Sequence, residues 1–295
     1  MKAAIIIPVH NSIDYTRKSL QRLMSSLAIV DDSDWQFPII VVDDGSTDGT
    51  SEWLDQHYPQ IHLCQGDGNL WWSGAINMGM KYALEHLKAD YIIWWNNDIL
   101  PADDYFQNVI RLLNEFESPI VIGSKIYFAD QPDLIWCYGG YFHKFWGHSY
   151  MPGNGQNDGQ TFSIRKEADW LPGMGTVLHR EIIEKTGMLN FDEFPQYHSD
   201  IDYCCRTRIM GYKVIVVPEL RIWNHTEHSS RGHEFKFRKL IPGLYDIKSI
   251  HHFNKEWKIY RKYAPTPLAY LILVKKYIGY FVKFALGRGK VADDG

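Results

Sequence analysis

The chain has 295 residues, enough for one large domain and an appendage, and its 45% apolar and 22% charged content is that of a globular protein. Its net charge of −4 hides a division: residues 1–230 hold 17 Lys/Arg against 30 Asp/Glu, whereas residues 231–290 hold 14 against 3. Cys64, Cys137, Cys204 and Cys205 lack metal-site spacing and fit a reducing cytosol, and the N-terminal apolar run is too short for a signal-peptide core.

Taken in chain order, Ala3 to Val9 reads as a buried strand closed by Pro8, Val9, His10 and Asn11. A helix over Tyr15–Leu27 puts Leu20, Leu23, Met24 and Leu27 on one face. Phe37–Val42 is continuous and β-branched, as a fully buried parallel strand should be, and runs into Asp43-Asp44-Gly45-Ser46-Thr47-Asp48-Gly49-Thr50. Asp48 is readily explained as a cap of the next helix. Two adjacent carboxylates before a glycine turn exceed what capping needs, and one of them can accept from the N3–H of uracil or thymine, or from a ribose hydroxyl. A helix near Ser51–His57 and a short strand around Ile61–Cys64 follow. Gly66, Gly68 and Asn69 form a loop before a helix beginning at Ser73-Gly74, whose start offers N–H groups to a phosphate.

Tyr91–Trp95 is a third buried strand, ending in Asn96-Asn97-Asp98. Ligands of open α/β sheets bind outside the carboxyl ends of the strands, and a hard cation holding a diphosphate wants oxygen ligands such as Asp98 there. A solvated turn would use the same residue types. A helix from Asp103 to Phe116 completes an alternation that predicts a doubly wound sheet through residue 116. Beyond it the texture changes: a strand at Ile120–Tyr127, an aromatic and Gly-rich stretch at 134–150, a loop at 152–160, a strand and short helix over 176–187, a helix over Asp200–Met210 and a last core strand at Val214–Val217.

Four blocks in this order resemble the inverting glycosyltransferases of family 2: IIIPVHN, VVDDGSTDGT, GDGNLWWSGAINMGM at 66–80, and the segment at 175–218 containing QYHSDIDYCCR. The subgroup it is most similar to contains rhamnosyl- and related transferases that build bacterial surface polysaccharides, such as O-antigen or capsule. The resemblance implies an α/β GT-A fold: a Rossmann-like nucleotide-sugar half at 1–116, an acceptor half at 117–230, and a basic, aromatic-rich helical extension at 231–295. It implies a UDP- or dTDP-sugar donor held by Pro8, Val9, His10, Asn11, Asp43, Asp44, Asn69, Trp72, Gly74, Asn77, Asn96, Asn97 and Asp98. Asp200 falls on the family's base, which takes the acceptor hydroxyl proton opposite the leaving diphosphate. Asp202 precedes Arg206 by one helical turn, so an ion pair explains it as well. Trp170, Gly173 and His198 are the implied acceptor contacts, Trp170 also being explicable as part of a tight turn.

The resemblance further implies a divalent metal, Mn2+ or Mg2+, on Asp98, with Asn96 as a weaker oxygen ligand or supporting group where the family's motif has a second Asp. His225, and after it His228, match the family's late histidine, and imidazole suits manganese. Residues 265–286 mix aromatic and aliphatic side chains with Lys275, Lys276 and Lys283, too charged to span a bilayer. Such a helix suits a membrane surface, peripheral on the cytoplasmic face of the inner membrane beside a lipid-linked glycan acceptor, or equally packing on the body or on a second copy of the chain. Nucleic acid is not an expected partner. Two other readings are a glycan-binding scaffold on a transferase fold, kept open by Asn96, and a sugar nucleotidyltransferase, which would carry a glycine-rich basic loop where Pro8-Val9-His10-Asn11 stands.

Overall fold

The structure is a computed structural model that describes residues 1–143, 145–225, 240–249 and 251–285. Its first half alternates β1 (Ala3–Val9), α1 (Ile13–Leu27), β2 (Ile39–Asp43), α2 (Thr50–His57), β3 (His62–Gln65), α3 (Trp71–Tyr82) and β4 (Tyr91–Trp94). β1 pairs in parallel with both β2 and β4, and β2 with β3. The β-branched runs of β1 and β2 are buried on both faces, as a sheet covered by helices requires. On α1, Leu20 and Leu23 are buried with Ser19, whose hydroxyl donates to Ile99 O.

Next come β5 (Ile99–Pro101), α4 (Tyr105–Glu115), β6 (Ile120–Phe128), β7 (Ile135–Cys137), β8 (Tyr141–His143), β9 (His148–Tyr150), β10 (Lys166–Glu167), β11 (Thr176–His179), α5 (Arg180–Thr186), α6 (Ser199–Ile209) and β12 (Lys213–Asn224). Among the described residues one mixed sheet runs β10-β12-β6-β11-β4-β1-β2-β3, with β5 on β12 and β7 on β6. β11 lies antiparallel between β4 and β6, so the two halves share a single sheet. This is the GT-A α/β arrangement expected.

Two expectations are corrected. The last strand is 12 residues long and not confined to 214–217; its register with β6 shifts between Val217 and Arg221, an irregularity that accommodates Pro218. Trp223 and Asn224 therefore belong to the sheet. The third helix begins at Trp71, before Ser73, because its first N–H groups find acceptors outside the helix.

The chain continues into α7 (Leu240–Tyr245), α8 (Phe253–Tyr263) and α9 (Pro267–Ala285). Ile259 and Tyr260 of α8 and Ala269, Leu273, Tyr277 and Tyr280 of α9 are buried. Lys262 and Tyr263 donate to the Asp202 carboxylate at 3.1 and 2.7 Å, tying α8 to α6. The inner face of α9 thus packs on the body, as one of the two readings of the tail required. Its outer face leaves Leu271, Val274, Ile278, Phe281 and Val282 exposed. Among the described residues no helix is long and apolar enough to cross a membrane.

Candidate active site

β4, β1 and β2 are neighbours and run the same way, so their carboxyl ends, the three polar corners of the sequence, meet at one edge of the sheet. A cleft of about 490 Å³ opens there. Its walls include Pro8, Val9, His10, Asp44, Trp72, Asn96, Asn97 and Asp98, eight of the thirteen residues expected to hold the donor, together with Ser12, Trp71, Gln196, Tyr197 and Lys248.

Asp44 organises this edge. One carboxylate oxygen accepts from Gly68 N at 2.8 Å, and the other from Leu70 N at 2.9 Å and Trp71 N at 3.0 Å. Gly66 permits this approach, since a Cβ there would lie 2.6 Å from the Asp44 carboxylate. Trp72 N donates to Gln196 Oε1 and Ser73 N to Pro195 O. The start of α3 was expected to offer free N–H groups to a phosphate. Each N–H from residue 70 to 73 instead has an acceptor within the protein, and Asp44 occupies the anion position. Trp71 takes a left-handed φ of 52° at this point, an uncommon conformation for a bulky residue and one that concentrates at functional sites.

Asp43 is fully buried beside the cleft, accepting from Ser46 N and the Ser51 hydroxyl, and so shapes the loop. Asp48 accepts from Thr50 N, the Thr50 hydroxyl and Ile13 N, which holds its carboxyl below the usual range and joins the starts of α1 and α2. Asn11 bonds Ser46 and Thr47 at the surface, and Asn69 is exposed; neither lines the cleft. Gly74 packs under the Phe191 ring, 3.1 Å from where a Cβ would stand. Asn77 clamps the Leu189 backbone through both its amide atoms. These two residues join α3 to the 187–191 turn and do not face the cleft.

Asn96 Oδ1 accepts the indole N–H of Trp72 at 2.9 Å, and Asn97 donates to the Thr16 hydroxyl at 3.0 Å. Asp98 O accepts from His225 N at 3.1 Å, so this histidine adjoins the strand end, its ring edge-on to Tyr15 at 6.0 Å. His228 lies outside the described residues. Among those described, no three His, Cys, Asp or Glu side chains converge on a point that could hold a metal. Of Asp98 and His225 only Asp98 lines the cleft, and its carboxylate is the one oxygen ligand of full charge that the strand-end triplet brings there.

Behind Trp72 stands Asp200, at the start of α6. Gly173 leaves room for the Trp72 ring, which a Cβ would overlap, and its N–H donates to the Asp200 carboxylate, which also accepts from Ile201 N at 2.9 Å. Burial nevertheless dominates and pushes the Asp200 carboxyl up to about 6. Such a group is a base near neutral pH. Asp202, four residues before Arg206, is fully buried and accepts from Arg206, Lys262 and Tyr263, a structural junction.

A second cleft of about 810 Å³ lies on the other side of α6, between the body and α9. Trp170 and His198, two of the expected acceptor contacts, line it with Tyr150, Tyr260, Tyr277 and Tyr280. His198 has φ 71°, and burial holds it neutral with its pKa down to about 4. The aromatic walls contributed by α8 and α9 could not be assigned from sequence, because they come from the tail.

A mixed sheet with a polar cleft over adjacent parallel strand ends, and a half-buried carboxylate of raised pKa beside it, is the arrangement of a transferase of the GT-A fold. The chain belongs to Glycosyl transferase family 2, whose model matches residues 4–185. Over 236 residues it is 24% identical to the N-acetylglucosaminyl-diphospho-decaprenol L-rhamnosyltransferase of Mycobacterium tuberculosis, covering 72% of this chain and 73% of that protein. It is 26% identical over 266 residues to the uncharacterised protein y4gI of Sinorhizobium fredii, covering 86% of this chain and 27% of y4gI. The chain spans a third or less of the length of the first curated relatives it matches. The mannosyltransferase PcManGT of Pyrobaculum calidifontis, solved with GDP-Man and Mn2+, shares the fold at a TM-score of 0.57 and 18% identity, over 97% of this chain and 73% of that one.

Proposed function

We propose that the protein is an inverting glycosyltransferase that moves a sugar from a UDP- or dTDP-sugar to a glycan or lipid-linked glycan in bacterial surface polysaccharide synthesis. The observation that carries this reading is the meeting of three polar strand ends at one cleft, with the raised Asp200 carboxyl just behind its Trp72 wall. The nucleotide takes the edge organised by Asp44 and His10. The sugar lies toward Trp72, and the acceptor reaches it from the side of Trp170 and His198, whose aromatic surroundings suit sugar rings. Asp200 removes the acceptor hydroxyl proton as that oxygen attacks C1 of the donor sugar, and the diphosphate departs from the opposite face. In this division residues 1–116 serve the donor, 117–230 the acceptor, and the extension completes both clefts.

Asp98, with His225 beside it and Asn96 holding Trp72, would hold Mn2+ or Mg2+, which would neutralise charge on the leaving diphosphate. Calorimetric titration with UDP and dTDP, with and without Mn2+, tests the donor site; no binding of either would refute it. Asp98→Ala should lower diphosphate affinity by about tenfold or more when Mn2+ is present and much less without it. His225→Ala should act the same way, less strongly. Equal binding by Asp98→Ala in Mn2+ would place the ion elsewhere.

The outer stripe of α9 is the surface we assign to an anionic membrane, because the exposed Lys275 flanks its apolar residues, whereas Lys276 is paired with the buried Glu256. Lys275 adds roughly 1 kcal/mol of attraction. Deleting the chain after residue 264 is not a clean test, since it would bare Tyr260 and the second cleft. Ile278→Glu with Phe281→Glu should keep the fold and abolish co-sedimentation with anionic vesicles. Failure of the unaltered protein to bind vesicles would remove the membrane reading.

A further inference from the structure

Two carboxylates, Asp44 and Asp98, line the donor cleft, and Lys248 is the one Lys or Arg among the described residues that does. Lys248 comes from the turn between α7 and α8, far along the chain from the strand ends. Its backbone is set by Asp246, which accepts from Lys248 N at 2.9 Å and, through its carbonyl, from Ser249 N at 2.9 Å. The buried Lys255 donates to the neighbouring Ile247 O at 3.1 Å and secures this turn against α8. The exposed Lys248 ammonium lies 5.7 Å from the centroid of the Trp71 ring, within cation–π range of the residue whose backbone is left-handed.

A diphosphate entering this cleft needs positive partners. The start of α3 does not supply them, because Asp44, Gln196 and Pro195 accept the N–H groups of residues 70–73. The strand-end triplet Asn96-Asn97-Asp98 brings a single carboxylate to hold a cation. We infer that Lys248 is a diphosphate-binding residue, reaching over Trp71 to carry part of the negative charge that develops on the departing nucleoside diphosphate. The inference rests on the donor-cleft assignment above and assigns the C-terminal extension a direct part in it. A lysine acts on phosphate as a compact point charge, so its effect follows the charge of the ligand and not the base.

Calorimetric titration of the full chain with UDP and with uridine, in Mn2+, tests this. Lys248→Met should weaken UDP binding by about tenfold while uridine binding and the melting temperature stay as in the unaltered protein. Lys248→Arg should restore most of the UDP affinity. Unchanged UDP binding in Lys248→Met would overturn the inference, and so would an equal loss for UDP and uridine, which would mean that Lys248 only props Trp71. Absence of UDP and dTDP binding by the unaltered protein would instead overturn the donor-cleft assignment itself.

Discussion

Asp200→Asn is expected to leave donor binding intact and to reduce transfer by about 10²–10⁴-fold, the usual worth of a general base. The asparagine keeps an oxygen for the N–H groups of Ile201 and Gly173, so the start of α6 should hold its geometry. The unaltered enzyme should gain activity with rising pH through about 6, where the carboxyl ionises, and this limb should vanish in the variant. Stability provides a second reading with a definite sign. Burial raises this carboxyl above its ordinary value, so its contribution to stability is full at low pH and is lost as pH rises through about 6. Asp200→Asn should therefore be more stable than the unaltered protein at pH 8, by roughly 1–2 kcal/mol after allowing for the solvent that still reaches the side chain. Urea unfolding at pH 5 and pH 8 measures it. Near-normal turnover in the variant would exclude Asp200 as the base.

Asp44→Ala should be the most damaging substitution in the donor cleft for the fold as well as for binding. It strips the acceptor from the N–H groups of Gly68, Leu70 and Trp71 at a site only 5% exposed. Leaving a buried donor unpaired costs about 1–3 kcal/mol, and partial hydration of the loop should limit the total to roughly 3–5 kcal/mol. Nucleotide binding should be lost with the loop's shape. Asp48→Ala, at an exposed position in the same loop, removes the acceptor of the Thr50 and Ile13 N–H groups and should cost about 1 kcal/mol. Chemical denaturation of the two variants side by side checks the contrast; similar small losses would mean that Asp44 does not organise the loop.

The strand ends were legible because each follows a short run of β-branched or aromatic residues that only a buried strand explains. Their adjacency was not, since lateral order depends on pairing over long separations: β11 enters between β4 and β6 from more than eighty residues beyond β4. Pro218 hid the second half of β12, because a proline argues against a central strand unless the register shifts around it. At the site, residue type alone could not separate Asp43 from Asp44, which face opposite needs: one closes a turn, the other caps a helix start. The resemblance pointed to Gly74 and Asn77 as donor contacts, yet their environments are Phe191 and the Leu189 backbone. Lys248 carried no signal in sequence, because a lysine in a polar turn is ordinary until the fold brings it over Trp71.

The most direct test of the central claim is to incubate the protein with Mn2+ and a panel of UDP- and dTDP-sugars and to follow nucleoside diphosphate release and the anomeric configuration of the sugar by NMR. The account predicts slow hydrolysis of at least one donor with inversion at C1, abolished in Asp200→Asn. A protein that leaves every donor intact, or that releases sugar with retained configuration, would contradict it.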